Sequence, residues 1–211
     1  MNVRRTVAMV AELGAVVAAV VLGGKGGLIV LLVAASVALA LRGERWFVAR
    51  DRDRPAAWSA LGGGLVGGAA LAGAWFLSPT LIDATGHDIE WSTEPVVRGS
   101  FQLAATLALI TVALGVASEL VFRRWLLDRV AGLVRTQGEP RPVALVAGIL
   151  LAAVIEAAVS PSGGFPVGVG VVSGGLGALY VTSGGRIAAC VTARLVFDVG
   201  AIFLQALQLT A

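Results

Sequence analysis

Five ionisable side chains stand inside otherwise apolar stretches of this chain: Glu12, Glu119, Glu156, Arg194 and Asp198. A carboxylate so placed can accept hydrogen bonds, take a proton from a water, or ligate a hard cation. Each role needs a partner, because an ionisable group in a bilayer costs roughly 2.5–3.5 kcal/mol on insertion scales unless it is paired or hydrated. The spacing offers partners. Arg194 and Asp198 are four residues apart, on one helix face, and "SELVFRR" sets Glu119 four residues before Arg123 in the same way. As structure, these are ion pairs that tie helices together. As chemistry, Glu119, Glu156 and Asp198 converging around Arg123 and Arg194 make a nearly neutral carboxylate cluster, in which Arg194 serves as a counter-ion. Glu119 and Glu156 reach one depth only if the helix ending near Glu119 runs on through Arg123 to about Leu127. The single histidine, His87, lies in a stretch with Asp83, Asp88, Glu90 and Glu94 and reads as solvated. The single cysteine, Cys190, allows no internal disulfide and no CxxC metal or redox motif.

The elements that position these residues are membrane spans. The chain of 211 residues is 57% hydrophobic and 14% charged, with a mean hydropathy of +0.89. That leaves too little polar surface to cover a soluble globule. Apolar runs predict helices over about 6–23, 27–41, 57–77, 101–119, 142–159, 165–182 and 187–208, an all-α polytopic membrane bundle of about seven transmembrane helices. "LGGKGG" is a poor cleavage site and another span follows at once, so the first run reads as a helix and not as a signal peptide. Twenty-eight glycines, dense in "LGGGLVGGAALAGAW", fit helices that approach through small residues. Arginines in "RGERWFVARDRDRP" and from Arg123 to Arg141 put both segments and the N-terminus in the cytoplasm by the positive-inside rule. The acidic stretch Asp83 to Arg98 is then outside. Pro79 and Pro95 bracket it, which divides the chain into a three-helix part, 1–100, and a four-helix part, 101–211. The formal charge of +3 is spent on this asymmetry. The partner is the lipid bilayer, with a membrane protein or peptide as a second candidate, and not nucleic acid. Arginine and alanine enrichment points to a bacterial plasma membrane.

From Leu114 to Leu207 the order of motifs resembles the CPBP family, the Abi and CAAX-protease group of intramembrane metalloproteases. The family's first motif is two glutamates, two variable residues, an aromatic and an arginine. Ser118, Glu119, Phe122 and Arg123 match it, with serine for the first glutamate. Its second motif, an aromatic followed four residues later by histidine, falls on Ala152 and Glu156. Its third, histidine followed four residues later by asparagine or aspartate, falls on Arg194 and Asp198. "GGLGALYVTSGGRI" resembles the glycine-rich stretch that precedes the third motif.

The resemblance implies a CAAX-protease-like four-helix core and, for intact members, a site where glutamate and histidines hold a metal or position a water against a peptide bond. Here Ser118 cannot be the carboxylate base, and Arg194 has no lone pair to donate. A guanidinium about 5 Å from a divalent cation would oppose it by several kcal/mol at an effective dielectric near 20. No metal or other cofactor is therefore expected, and zinc or another divalent ion enters only if the site is active. The degenerate motif positions Glu119, Arg123, Glu156, Arg194 and Asp198 remain the site candidates. Three readings stay open: a protein of this family that has lost metalloprotease activity and binds or regulates a membrane partner; an active CAAX-type or glutamate-dependent endopeptidase; and a small-solute transporter broken at "SPSGGFPVGVG".

Overall fold

A computed structural model describes residues 3–22, 24–41, 56–85, 100–133, 142–159 and 166–207. Its helices are α1 (Val3–Leu22), α2 (Gly24–Leu41), α3 (Ala56–Thr85), α4 (Phe101–Glu119), a π-helical segment (Leu120–Leu127), α5 (Asp128–Leu133), α6 (Pro142–Val159), α7 (Pro166–Thr182) and α8 (Ile187–Ala206). No strand occurs among the described residues. The protein is an all-α membrane helix bundle, and the apolar helices among the described residues fall where the apolar runs predict them. Phe101–Val130, Pro142–Val159 and Ile187–Leu204 are each long and apolar enough to cross a bilayer. Val10–Leu22, Gly26–Ala40 and Val169–Thr182 are shorter apolar helices. Large apolar side chains such as Val10, Leu13, Val17, Leu109, Val143 and Val154 face outward, which water disfavours and lipid does not.

Two boundaries differ from expectation. α3 continues past Pro79 to Thr85 instead of ending near residue 77. A proline removes one intrahelical hydrogen bond, but a membrane helix has few alternatives for its remaining backbone groups and tolerates the break. The fourth span likewise does not stop at Glu119: helical structure continues through the π segment and α5 to Leu133. Charges at 119, 123, 124 and 128 look like a membrane edge in sequence. Partners on other helices take away the penalty that would have ended the span. The acidic stretch beyond Thr85, with His87, and the arginine-rich 42–55 lie outside the described residues.

By packing, the chain forms two units of interleaved stretches. The first is Met1–Arg52 with Ala117–Ile187, and the second is Asp53–Val116 with Ala188–Ala211. In the first unit α1 packs on α2, α6 on α7, and the π segment on α2, α6 and α7. Their core joins Ala19, Leu31, Ala35 and Leu39 to Val121, Phe122, Trp125, Leu126, Ala152, Ile155 and Val159. Gly177 lets α7 close on α6, where an added Cβ would lie 3.0 Å from Ile149 Cγ2. α7 ends in a turn at Gly184 and Gly185, both at left-handed φ (74° and 79°), with the Gly185 N–H donating to Tyr180 O at 2.8 Å.

In the second unit α3 meets α8 through small residues. A Cβ on Gly63 or Gly67 would overlap the carbonyl oxygen of Ala189 or Ala193, respectively. The two pairs share a four-residue spacing, so one face of each helix carries the whole contact. Phe101 and Phe203 meet in a tilted pair with ring centroids 5.4 Å apart, beside a small core of Ala104, Ile202 and Ala206.

Candidate functional site

The first unit contains a buried polar layer built from three elements. The end of α4 and the π segment supply Ser118, Glu119 and Arg123, α6 supplies Glu156, and α7 supplies Ser173. None is more than 4% exposed, and Glu119 and Arg123 are wholly enclosed. Charges at that depth persist only with partners close by. Arg123 provides them: its Nε lies 3.3 Å from Glu119 Oε2, and its Nη2 lies 3.0 Å from Glu156 Oε2. The same Nη2 donates to Ser173 Oγ at 3.0 Å. The Ser173 hydroxyl in turn donates to Glu156 Oε2 at 2.6 Å, and the Ser118 hydroxyl to Glu156 Oε1 at 3.0 Å. Glu156 thus accepts from two hydroxyls and one guanidinium, which commits most of the roughly four lone-pair positions of a carboxylate.

Local geometry makes this convergence feasible. A π turn bonds i to i+5 and is wider than an α turn, and such segments recur at functional sites. It carries Arg123 inward, while the next residue, Arg124, pairs with Asp128. Both Asp128 carboxylate oxygens lie 3.2 Å from Tyr180 Oη, within reach of its hydroxyl. Ser173 and Tyr180 are seven residues apart, on one face of α7, so that helix meets the π segment and its exit at two levels. A third link joins α1 to α5, where Arg129 Nε is 3.8 Å from Glu12 Oε1. Glu12, isolated in sequence, thereby gains a cationic neighbour.

Of the residues singled out by type and spacing, the structure brings Glu119, Arg123 and Glu156 together, through the continuation of the fourth span past Glu119. Arg194 and Asp198 lie on α8 in the second unit and pair with each other, Arg194 Nε to Asp198 Oδ2, at 3.2 Å. Their side chains are 21% and 28% exposed, so this pair is half-buried where Arg123 is enclosed. Spacing alone missed Ser173, Asp128, Tyr180 and Arg129. The only trace of Ser173 is a lone hydroxyl beside two glycines in "VVSGGLG", and Tyr180 shows only through its seven-residue offset from it.

The metal site implied by the resemblance does not fit these residues. The cation between the two carboxylates is the Arg123 guanidinium, and the lone pairs a divalent ion would use on Glu156 are taken by Arg123, Ser118 and Ser173. Among the described residues no three of His, Cys, Asp and Glu gather as a ligand set. The layer links α4, the π segment, α6 and α7, and both of its carboxylates are buried.

Residues 100–200 match the family model described as Rce1-like, type II CAAX prenyl endopeptidase Rce1-like. That stretch runs from the start of α4 into α8 and contains every residue of the buried layer. No curated protein and no solved structure matches the chain.

Proposed function

From the match of residues 100–200 to the Rce1-like endopeptidase family model, we propose that this integral membrane protein keeps the family's core but has lost its metalloprotease chemistry, and acts as a binding or regulatory protein in the membrane. One observation carries this reading: Glu156, where the family's second motif has histidine, spends its carboxylate on Ser118, Ser173 and the Arg123 guanidinium. The positive charge that buried carboxylates require is thus covalently part of the chain. Ser118, at the position where the motif has its first glutamate, donates a hydrogen bond to Glu156. The partner is a membrane segment or peptide of the kind an endopeptidase-like core would receive. The setting is a bacterial plasma membrane, with the N-terminus on the cytoplasmic side.

The test uses the purified chain in nanodiscs with a prenylated CAAX peptide and added zinc. No cleavage is expected, and elemental analysis after dialysis should find far less than one zinc per chain. Cleavage that disappears in Glu156→Gln would overturn the proposal in favour of an active endopeptidase. So would about one zinc per chain that is lost in Glu119→Ala.

A further inference from the structure

The π segment Leu120–Leu127 joins two polar contacts, both of which it shares with α7. In its first half Arg123 is held by Glu119, Glu156 and Ser173. At its end Arg124 and Tyr180 converge on Asp128. An eight-residue π run is a rare conformation, since π residues make up well under about 1% of residues in globular proteins. It closes abruptly, with the Asp128 N–H donating back to Trp125 O, three residues earlier. Two of its side-chain donors, Arg123 Nη1 and Trp125 Nε1, are enclosed without an acceptor among the described residues. Neither backbone preference nor full use of its donors therefore explains this register. The contacts of Arg123 with the two carboxylates and Ser173 do.

We propose that Leu120–Leu127 is a two-state coupler between the buried layer and the Asp128–Tyr180 contact. While Glu119 and Glu156 hold Arg123, the segment stays π and Asp128 meets Tyr180. When Arg123 is released, the segment rewinds toward i to i+4 bonding, the chain after it turns, and Asp128 leaves Tyr180. A change in what occupies the buried layer is then felt at the far end of α7, beside the Gly184–Gly185 turn. Packed interfaces pass small shifts on in this way because they have discrete arrangements and do not deform continuously. The coupling does not depend on whether the layer hydrolyses anything.

Tyr180 is the only tyrosine in the chain, so full-length protein grown on 3-fluorotyrosine gives a single ¹⁹F resonance that reports this contact. Asp128→Ala fixes the position of the released state. The isosteric double variant Glu119→Gln/Glu156→Gln removes both charges that hold Arg123 and keeps the volume, and Arg123→Met removes the guanidinium itself. The double variant should carry the Tyr180 resonance more than half of the way to the Asp128→Ala position, and Arg123→Met should do the same if it folds. A resonance that stays at the wild-type position in the folded double variant would overturn the coupler. Because the readout is spectroscopic, it stands apart from the cleavage and zinc assays.

Discussion

Replacing Arg123 by methionine removes the one cation of the buried layer and keeps an apolar stem of similar length. Glu119 and Glu156 lose that cation in a region no more than 4% exposed, while the hydroxyls of Ser118 and Ser173 still donate to Glu156. Stranding one side of a buried pair costs roughly 3–5 kcal/mol, less if a carboxylate takes up a proton. For a chain of this length each kcal/mol moves the melting midpoint by about 2–4 °C, so Arg123→Met should lower it by roughly 6–20 °C. The triple variant Arg123→Met with Glu119→Leu and Glu156→Leu removes all three charges, and a well-packed apolar layer is often as stable as an ionic one. It should recover at least half of the loss, whereas Arg123→Met with Glu119→Leu alone should recover less, because Glu156 stays stranded. The assay is thermal unfolding in one detergent, followed by circular dichroism. If Arg123→Met melts within about 2 °C of wild type, a change worth under about 1 kcal/mol, the guanidinium reaches water and the enclosed layer must be abandoned.

Gly63→Ala should destabilise by about 1–3 kcal/mol, since its Cβ would overlap the Ala189 carbonyl, while Gly62→Ala, which points into open space, should be neutral or slightly stabilising. Equal melting of the two variants would deny the close α3–α8 contact. Arg194→Ala removes a half-buried pair within one helix turn and should cost about 1 kcal/mol or less, well below Arg123→Met. A larger loss than that of Arg123→Met in the same detergent would invert the assignment of the structural cation. A cysteine at Thr85, the last residue of α3, should be labelled in intact cells by an impermeant thiol reagent, with Cys190 buried and silent. Failure to label it would contradict the outside placement of that helix end.

Composition and spacing by themselves determined that the chain is a helical membrane protein and where its apolar helices lie, and they singled out Glu119, Arg123 and Glu156 as charges needing partners. The reason is that a bilayer leaves apolar length as the main constraint on a span and makes every charge within one conspicuous. The same physics made the small-residue faces readable: "LGGGLVGG" requires a close neighbour, and α8 provides it in Ala189 and Ala193. Only the tertiary structure decided which acid meets which base. The span through Arg123 reads as finished at its first charge until Glu156 and Ser173, 33 and 50 residues further on, are brought against it to compensate that charge. The π register that turns Arg123 inward has no signature in residue type or period, because it is held by partners on other helices. Ser173 and Tyr180 are ordinary polar residues of a glycine-rich helix in sequence. They became members of a site when α7 closed on α6 at Gly177 and set them, two turns apart, against the same segment.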